Sequence, residues 1–297
     1  MKNKPLISII MNCFNGERYL KESIESIISQ TYENWELIFW DNQSTDKSKE
    51  IFKGYNDKRF KFFSSTNHTV LYEARNKAIQ KCNGEFITFL DTDDYWLPNK
   101  LDRQIKLFKD EKIGLVYGNY WVLNERNFSK KQIFSKKKLP TGNVLNDLLL
   151  NFSVGILTVM LRTKYIDNIK KVFNTNYDLL ADFDFVINFS IKHEFQCIQD
   201  PVACYRMHDE QTSLKFNKEQ ILQMEKWYEE KKDDIFFSKK KEMSQVKKNI
   251  YYMKSIQVIL DNNFYQSLIE VFKSPFIFKK MKFFINLKII KSIKNEL

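Results

Sequence analysis

The chain has 297 residues, 43% of them hydrophobic, with only 7 glycines and 5 prolines, which excludes a low-complexity or linker-rich protein and allows one full core plus an appendage. Its formal charge of +11 and pI near 9.2 favour a polyanionic partner: a nucleic acid, an anionic membrane surface or a phosphorylated substrate. No stretch approaches the roughly 18–20 uninterrupted apolar residues of a membrane span. The apolar run at 6–11 stops at Asn12, too short for a signal peptide and with no small-residue cleavage site after it. The cysteines, Cys13, Cys82, Cys197 and Cys204, show no Cys-x-x-Cys spacing. Together these features predict reduced thiols, no zinc site and a chain on the cytoplasmic side.

Residues 6–11 read as a buried strand that turns at Asn12-Cys13-Phe14-Asn15-Gly16 into a helix over 17–30. A second strand, 35–40, ends at Asp41-Asn42-Gln43-Ser44-Thr45-Asp46, with Ser44 or Thr45 expected to cap a helix over 47–55. A short strand at 59–63 and a helix over 69–82 follow, the helix stopped by Asn83-Gly84. Residues 86–90 are an apolar, β-branched and aromatic run that ends in Asp91-Thr92-Asp93-Asp94. This alternation predicts an α/β fold with a doubly wound, mostly parallel sheet and a Rossmann-like nucleotide-binding half.

The acidic run has two readings on its own. It is a solvated turn leading into the helix that starts near Leu97-Pro98, or a cation and phosphate site, because crowded carboxylates need positive charge between them. Asn12, Asp41, Asp91 and Asp93 all follow predicted strands, however, and in a parallel sheet such ends share one edge, where open α/β sheets hold ligands. That convergence favours a nucleotide and metal site.

Further on, a helix is expected over 101–110 and strands over 114–118, 158–162, 195–198 and 202–206, with helices over 142–152 and from Asp178 to 192. The basic stretch 129–138 reads as a solvated loop or as a charged lid over a phosphorylated substrate. From about Asn217 charged helical segments replace strands. Residues 270–297 hold seven lysines and two glutamates among many Phe and Ile. On a helix, Phe278, Met281, Ile285 and Ile289 form one stripe and Phe276, Phe283, Leu287 and Ile290 lie opposite it, so there is no clean membrane-surface face. A half-buried helix with lysines reaching anionic head groups, and a solvated basic tail, both fit.

Several of these segments, in order, carry a resemblance. The opening strand with Asn12-Cys13-Phe14-Asn15, Gln30-Thr31-Tyr32 before the second strand, Asp41-Asn42-Gln43-Ser44-Thr45-Asp46, Ala74-Arg75-Asn76, Asp91-Thr92-Asp93-Asp94, Asp182-Phe183-Asp184 and Tyr205-Arg206-Met207-His208 resemble the motifs of the family 2 inverting glycosyltransferases of bacterial polysaccharide synthesis, over about residues 5–215. The resemblance implies a GT-A domain at 1–215, with a nucleotide-sugar half at 1–115 and an acceptor half at 116–215, followed by a basic helical extension at 216–297. It implies that Asn12 and Asp41 contact the base, with Asp41 accepting from the uracil N–H of a UDP-sugar. Arg75 would steady the nucleotide or its phosphates, and Asp91 would approach the ribose. Asp93 and His208 would serve a Mn2+ or Mg2+ ion, and Asp182 would be the catalytic base. Two positions depart from the family: Ala181 stands where it has Glu, and Asn12 where many members have Thr.

The implied chemistry is a single displacement in which one carboxylate takes the acceptor hydroxyl's proton while a cation stabilises the departing diphosphate. With one base and no second nucleophilic carboxylate in evidence, inversion follows. The implied acceptor is a glycan or lipid-linked glycan, with the chain peripheral on the inner face of the cell membrane through 270–297. A nucleotidyltransferase would show a Gly-rich phosphate loop after the first strand, and residues 12–16 are not one. Retention of Asp41, Asp91, Asp93, Asp182 and His208 argues against a non-catalytic nucleotide-sugar binder. A nucleic-acid partner is not expected, because the basic residues are spread through loops and gathered in the tail without a recognised binding motif.

Overall fold

The structure is a computed structural model that describes residues 4–125, 131–166, 171–209 and 218–260. Ser129 and Lys130 of the expected basic loop, and all of the expected basic tail at 270–297, lie outside the described residues. The chain divides into two compact units, Met1–Lys215 and Phe216–Leu297.

In the first unit, β1 (Ile7–Cys13), β2 (Trp35–Asp41), β3 (Phe60–Ser64) and β4 (Phe86–Phe89) lie side by side in the order β3-β2-β1-β4, all parallel. Every residue of β1, β2 and β4 is buried, while the edge strand β3 is partly exposed. Strands covered on both faces read as continuous apolar runs, and this is why they were legible. Helices α1 (Glu17–Ile28), α2 (Ser48–Lys53) and α3 (Leu71–Ile79) make the crossovers. The register pairs Asn12 with Trp40 and Cys13 with Asp41 on one side of β1, and Ile10 with Phe89 on the other. The carboxyl ends of β1, β2 and β4 therefore emerge along one edge.

The second half of the sheet departs from this pattern. It is built from β5 (Tyr95–Trp96), α4 (Lys100–Ile105), β6 (Ile113–Asn124), β7 (Lys131–Ile133), α5 (Leu145–Leu150), β8 (Met160–Arg162), α6 (Ala181–Ser190) and β9 (Glu194–Met207). Strand β8 sits antiparallel between β4 and β6, while β9 runs parallel to β6 and then pairs antiparallel with β5. Part of the expected basic loop is ordered as β7, in a hairpin with β6. The strands expected at 195–198 and 202–206 are one strand. Asp200-Pro201 looks like a break, but register shifts around Asn119 absorb it, and the Asn119 amide donates to the Gln199 carbonyl at 3.1 Å.

A second correction concerns the turn after β2. Ser44 and Thr45 do not cap α2, whose N-cap is Lys47. The first turns of α1 and α2 cap each other instead. Ser48 Oγ accepts the Gly16 N–H (2.9 Å), Asp46 accepts the Glu17 N–H (2.9 Å), and Glu17 in return accepts the Lys47 N–H (2.8 Å). Ser44 Oγ and Asn15 Oδ1 tie the two loops together from either side. Such reciprocal capping satisfies the orphan donors of two helices at once. Gly16 is required there because a Cβ would meet Thr92 Oγ1 at 2.8 Å.

In the second unit, α7 (Lys218–Lys232) and α8 (Met243–Leu260) pack around fully buried Trp227, with Phe237 edge-on to it at 5.9 Å. No helix among the described residues is long and apolar enough to cross a membrane.

One buried cation stands apart. Lys100 is fully buried, donates to Thr88 Oγ1 at 2.9 Å and lies 3.9 Å above the Trp96 ring, and burial pushes its pKa well below the usual lysine value. The unfolded chain takes a proton there below about pH 10.4, whereas the folded chain does so only below its own depressed pKa. Between the two values the unfolded state binds more protons, so stability falls as pH is lowered, by up to about 1.4 kcal/mol per pH unit. Chemical denaturation across this range should show that slope, and Lys100→Met should remove it.

Candidate functional site

The acidic run after β4 splits into two roles. Asp94 turns inward: its side chain is buried, and its Oδ1 accepts the Arg206 N–H at 2.8 Å. The Ser23 hydroxyl of α1 lies 2.7 and 2.6 Å from the Thr92 and Asp94 carbonyls and holds the loop from below. Asp91 and Asp93 stay partly open to the crevice, with side chains 31% and 28% exposed. None of these acids caps α4, which starts later at Lys100 after Asn99. Asp93 Oδ2 lies 3.0 Å from His208 Nε2, so the strand end of β4 meets the end of β9. Burial and the neighbouring Asp91 charge push the Asp93 carboxyl upward, and His208 opposes them.

Arg75 comes from α3 and is almost fully buried. It forms an ion pair with Asp91 and lies 5.2 Å from the Tyr72 ring centre. Burial works against its charge, but Asp91 and, at longer range, Asp182 hold the guanidinium in its charged form. Asp182, in the first turn of α6, accepts the Phe183 N–H at 2.8 Å, and the nearby Tyr72 hydroxyl also favours its ionised form. Burial raises its pKa, and Arg75 is the largest opposing influence. Asp184, two residues on, is tied to its own helix through Asn188 Nδ2 at 2.7 Å. Of the two acids of this turn, it is Asp182, the one the resemblance singles out, that feels the Arg75 charge.

Asn12 and Asp41 lie at the ends of β1 and β2. Asp41 accepts the Ser44 N–H at 3.1 Å and faces the Ser64 hydroxyl at 3.4 Å. The Asn12 amide is buried, and both its nitrogen and its oxygen lack a partner among the described residues. A buried amide left unpaired costs free energy until a ligand supplies both a donor and an acceptor. Nearby, Phe14 is half exposed and its ring lies 4.3 Å from that of His68.

For a cation, Asp93 and His208 are the side chains brought together; among the described residues no group of three or more His, Cys, Asp or Glu side chains forms a ready cage. Mg2+ or Mn2+ bound through one or two side chains, with water and substrate phosphate completing its shell, fits this donor set. Burial and the neighbouring Asp91 charge disfavour the ionised form of Asp93, a cost that a bound cation would offset.

Sequence reasoning passed over Tyr72, Asn76, Tyr19 and Arg206 as site residues. Asn76 exchanges hydrogen bonds with the Phe173 backbone in both directions, at 2.8 and 2.9 Å, and so pins α3 to the segment leading into α6. The signal was present in Ala74-Arg75-Asn76, but the partner lies 97 residues away.

Residues 8–168 match the protein family described as glycosyl transferase family 2. Over 156 residues, 52% of this chain and 60% of the relative, the chain is 38% identical to the Escherichia coli UDP-Glc:alpha-D-GlcNAc-diphosphoundecaprenol beta-1,3-glucosyltransferase WfgD. Matches to WfgD and two further curated relatives span 56% to 62% of their lengths, so the chain covers less than two thirds of them. In fold it is similar to residues 1–349 of S. aureus TarS in complex with UDP, with TM-score 0.63, 18% identity, and 85% of this chain and 71% of that one covered. It is also similar to the mannosyltransferase PcManGT from Pyrobaculum calidifontis in complex with GDP-Man and Mn2+, with TM-score 0.63, 14% identity, and 97% and 81% covered. The fold is that of these GT-A glycosyltransferases.

If Asn76 is the pin between the two halves of the site, Asn76→Ala should leave the buried Phe173 N–H and carbonyl unpaired, at roughly 1–3 kcal/mol each. A urea melt should show that loss, and an unchanged midpoint would remove Asn76 from this role.

Proposed function

The chain belongs to glycosyltransferase family 2, and on that premise we propose that it moves a sugar from a nucleoside diphosphate donor, a UDP-sugar, to a hydroxyl of a lipid-linked glycan with inversion at the anomeric carbon. The observation that carries this reading is the set of charges around Arg75: a buried guanidinium ion-paired with Asp91 on the donor side, with the charge of Asp182 acting on it at longer range from the other. Asn12 and Asp41 take the base. An unpaired amide with a donor and an acceptor, close to a carboxylate that accepts, complements the uracil edge. Asp91 approaches the ribose, and Arg75 acts on the nucleotide through Asp91. Asp93 and His208 would hold Mn2+ or Mg2+, which when bound would supply positive charge to neutralise the leaving diphosphate.

Asp182 removes the acceptor hydroxyl's proton as that oxygen attacks the anomeric carbon from the face opposite the diphosphate, through an oxocarbenium-like transition state. Its raised pKa makes it the stronger base, and Arg75 keeps it ionised. On this reading residues 1–115 serve the donor and 116–215 the acceptor. The UDP-Glc donor and the diphosphoundecaprenol-linked acceptor in the name of WfgD support both choices. A lipid-linked acceptor puts the reaction at a membrane surface, which the chain meets peripherally.

Calorimetry with UDP, GDP, dTDP and CDP, each with and without Mn2+, tests the donor. UDP should bind, and more tightly with the metal; folded protein that binds no nucleotide would overturn the reading. Asp182→Asn should lower transfer by about 10²–10⁴-fold with UDP affinity unchanged, and full activity in that variant would remove Asp182 as the base. The pH profile has a fixed sign. Protonated Asp182 cannot accept, so kcat/KM falls as pH drops through its raised pKa. Tyr72→Phe removes a hydroxyl that favours the ionised form and should move that acid limb to higher pH.

A further inference from the structure

The mechanism leaves Arg206 unused, yet it is the most connected side chain near the crevice. It lies on β9 two residues before His208, with its side chain only 8% exposed. Its Nε donates to the Asp93 carbonyl at 2.9 Å, Nη1 to Glu125 at 3.1 Å and Nη2 to Glu22 at 2.5 Å. Its backbone N–H donates to Asp94. One guanidinium thus joins the loop after β4, the end of β6 and α1. The Tyr19 ring of α1 stacks beneath it at 4.5 Å and lies 5.0 Å from the His208 ring. The Tyr19 hydroxyl donates to Glu125 at 2.5 Å; burial and Glu125 push its pKa up to about 12, so it remains a donor at neutral pH.

We propose that Arg206, braced by Glu125 and Tyr19, is the positioning residue of the cation site. It holds the Asp93 main chain and the His208 ring in one fixed relation, so that the two side chains face the same ion. The inference rests on the proposed function, since it presumes that Asp93 and His208 share a cation. A planar fork with fixed donor directions suits this task. Lysine, with one point of charge, cannot reach the Asp93 carbonyl, Glu22 and Glu125 together. Partners that orient metal ligands from behind are commonly worth 10–100-fold in metal affinity.

The alternative is that Arg206 merely stabilises the fold, and the two roles predict different losses. The test measures Mn2+ dissociation from the protein–UDP complex by electron paramagnetic resonance, UDP affinity in EDTA, and the melting temperature. It compares the full chain with Arg206→Lys, Glu125→Gln and Tyr19→Phe. Arg206→Lys should raise the Mn2+ dissociation constant by about 10–100-fold, with UDP affinity in EDTA within about twofold of the parent. Glu125→Gln keeps the shape of the brace and removes its charge; with Tyr19→Phe it should give a smaller loss of the same kind, and the two decide the matter if Arg206→Lys does not fold. Unchanged Mn2+ affinity in the folded variants would overturn the proposal. So would an equal loss of metal-free UDP binding and thermal stability, which is the signature of a structural role. A parent protein that binds no Mn2+ with UDP would overturn the proposed function along with it, whereas indifference of the variants alone would overturn only the role of Arg206.

Discussion

The buried guanidinium of Arg75 is the constraint on which the rest of the site depends. A cation withdrawn from water must be met by negative charge, and removal of one member of a buried pair typically costs about 3–5 kcal/mol. Asp91 meets it in an ion pair from the end of β4, and the charge of Asp182, in the first turn of α6, favours it at longer range. The need runs both ways. Without Arg75, the charges of Asp91 and Asp182 would repel each other unopposed, which favours protonation of one of them. The ion cluster therefore sets both the geometry of the crevice and the ionisation of the group proposed as its base.

Around that cluster the crevice is fastened from behind. Ser23 and Arg206 grip the carbonyls of the loop after β4, and Asp94 is spent entirely on this fastening. The helices flanking β1 and β2 cap each other through Asn15, Ser44, Asp46 and Ser48. The buried Asn12 amide is left without a partner among the described residues, and Asp93 and His208 meet at the crevice. A rigid rear wall with unsatisfied polar groups in front is how a site is preorganised for a ligand, since the cost of ordering is met during folding and not during binding.

How much of this was legible varies with the range of the interaction. The strands β1, β2 and β4 announced themselves as continuous apolar runs, and their polar ends as members of one edge, because a parallel sheet leaves little choice about where its carboxyl ends lie. The division of labour within Asp91-Thr92-Asp93-Asp94 was not legible. Adjacent acids look alike in a sequence, and it is Arg206, arriving from β9, that claims Asp94 and leaves Asp93 to His208. The segment Asp41-Asn42-Gln43-Ser44-Thr45-Asp46 was legible as a motif but not as a cap for α1, because the donors that Ser44 and Asp46 satisfy lie 29 residues upstream. Strand β9 looked like two strands because a proline breaks the apolar pattern, and only the bulges opposite it in β6 keep the ladder continuous.

By itself, then, the sequence determined the alternation of strand and helix, the buried character of the central strands, and the chemical kinds of side chain at their ends; all of these follow from local periodicity and composition. The tertiary structure decided which acid meets which cation, which of Asp182 and Asp184 turns to Arg75, and which polar atoms are left for a ligand. Those outcomes depend on Coulomb and hydrogen-bond partners brought together from far along the chain. Such interactions act over a few ångströms in space and leave no period in the sequence.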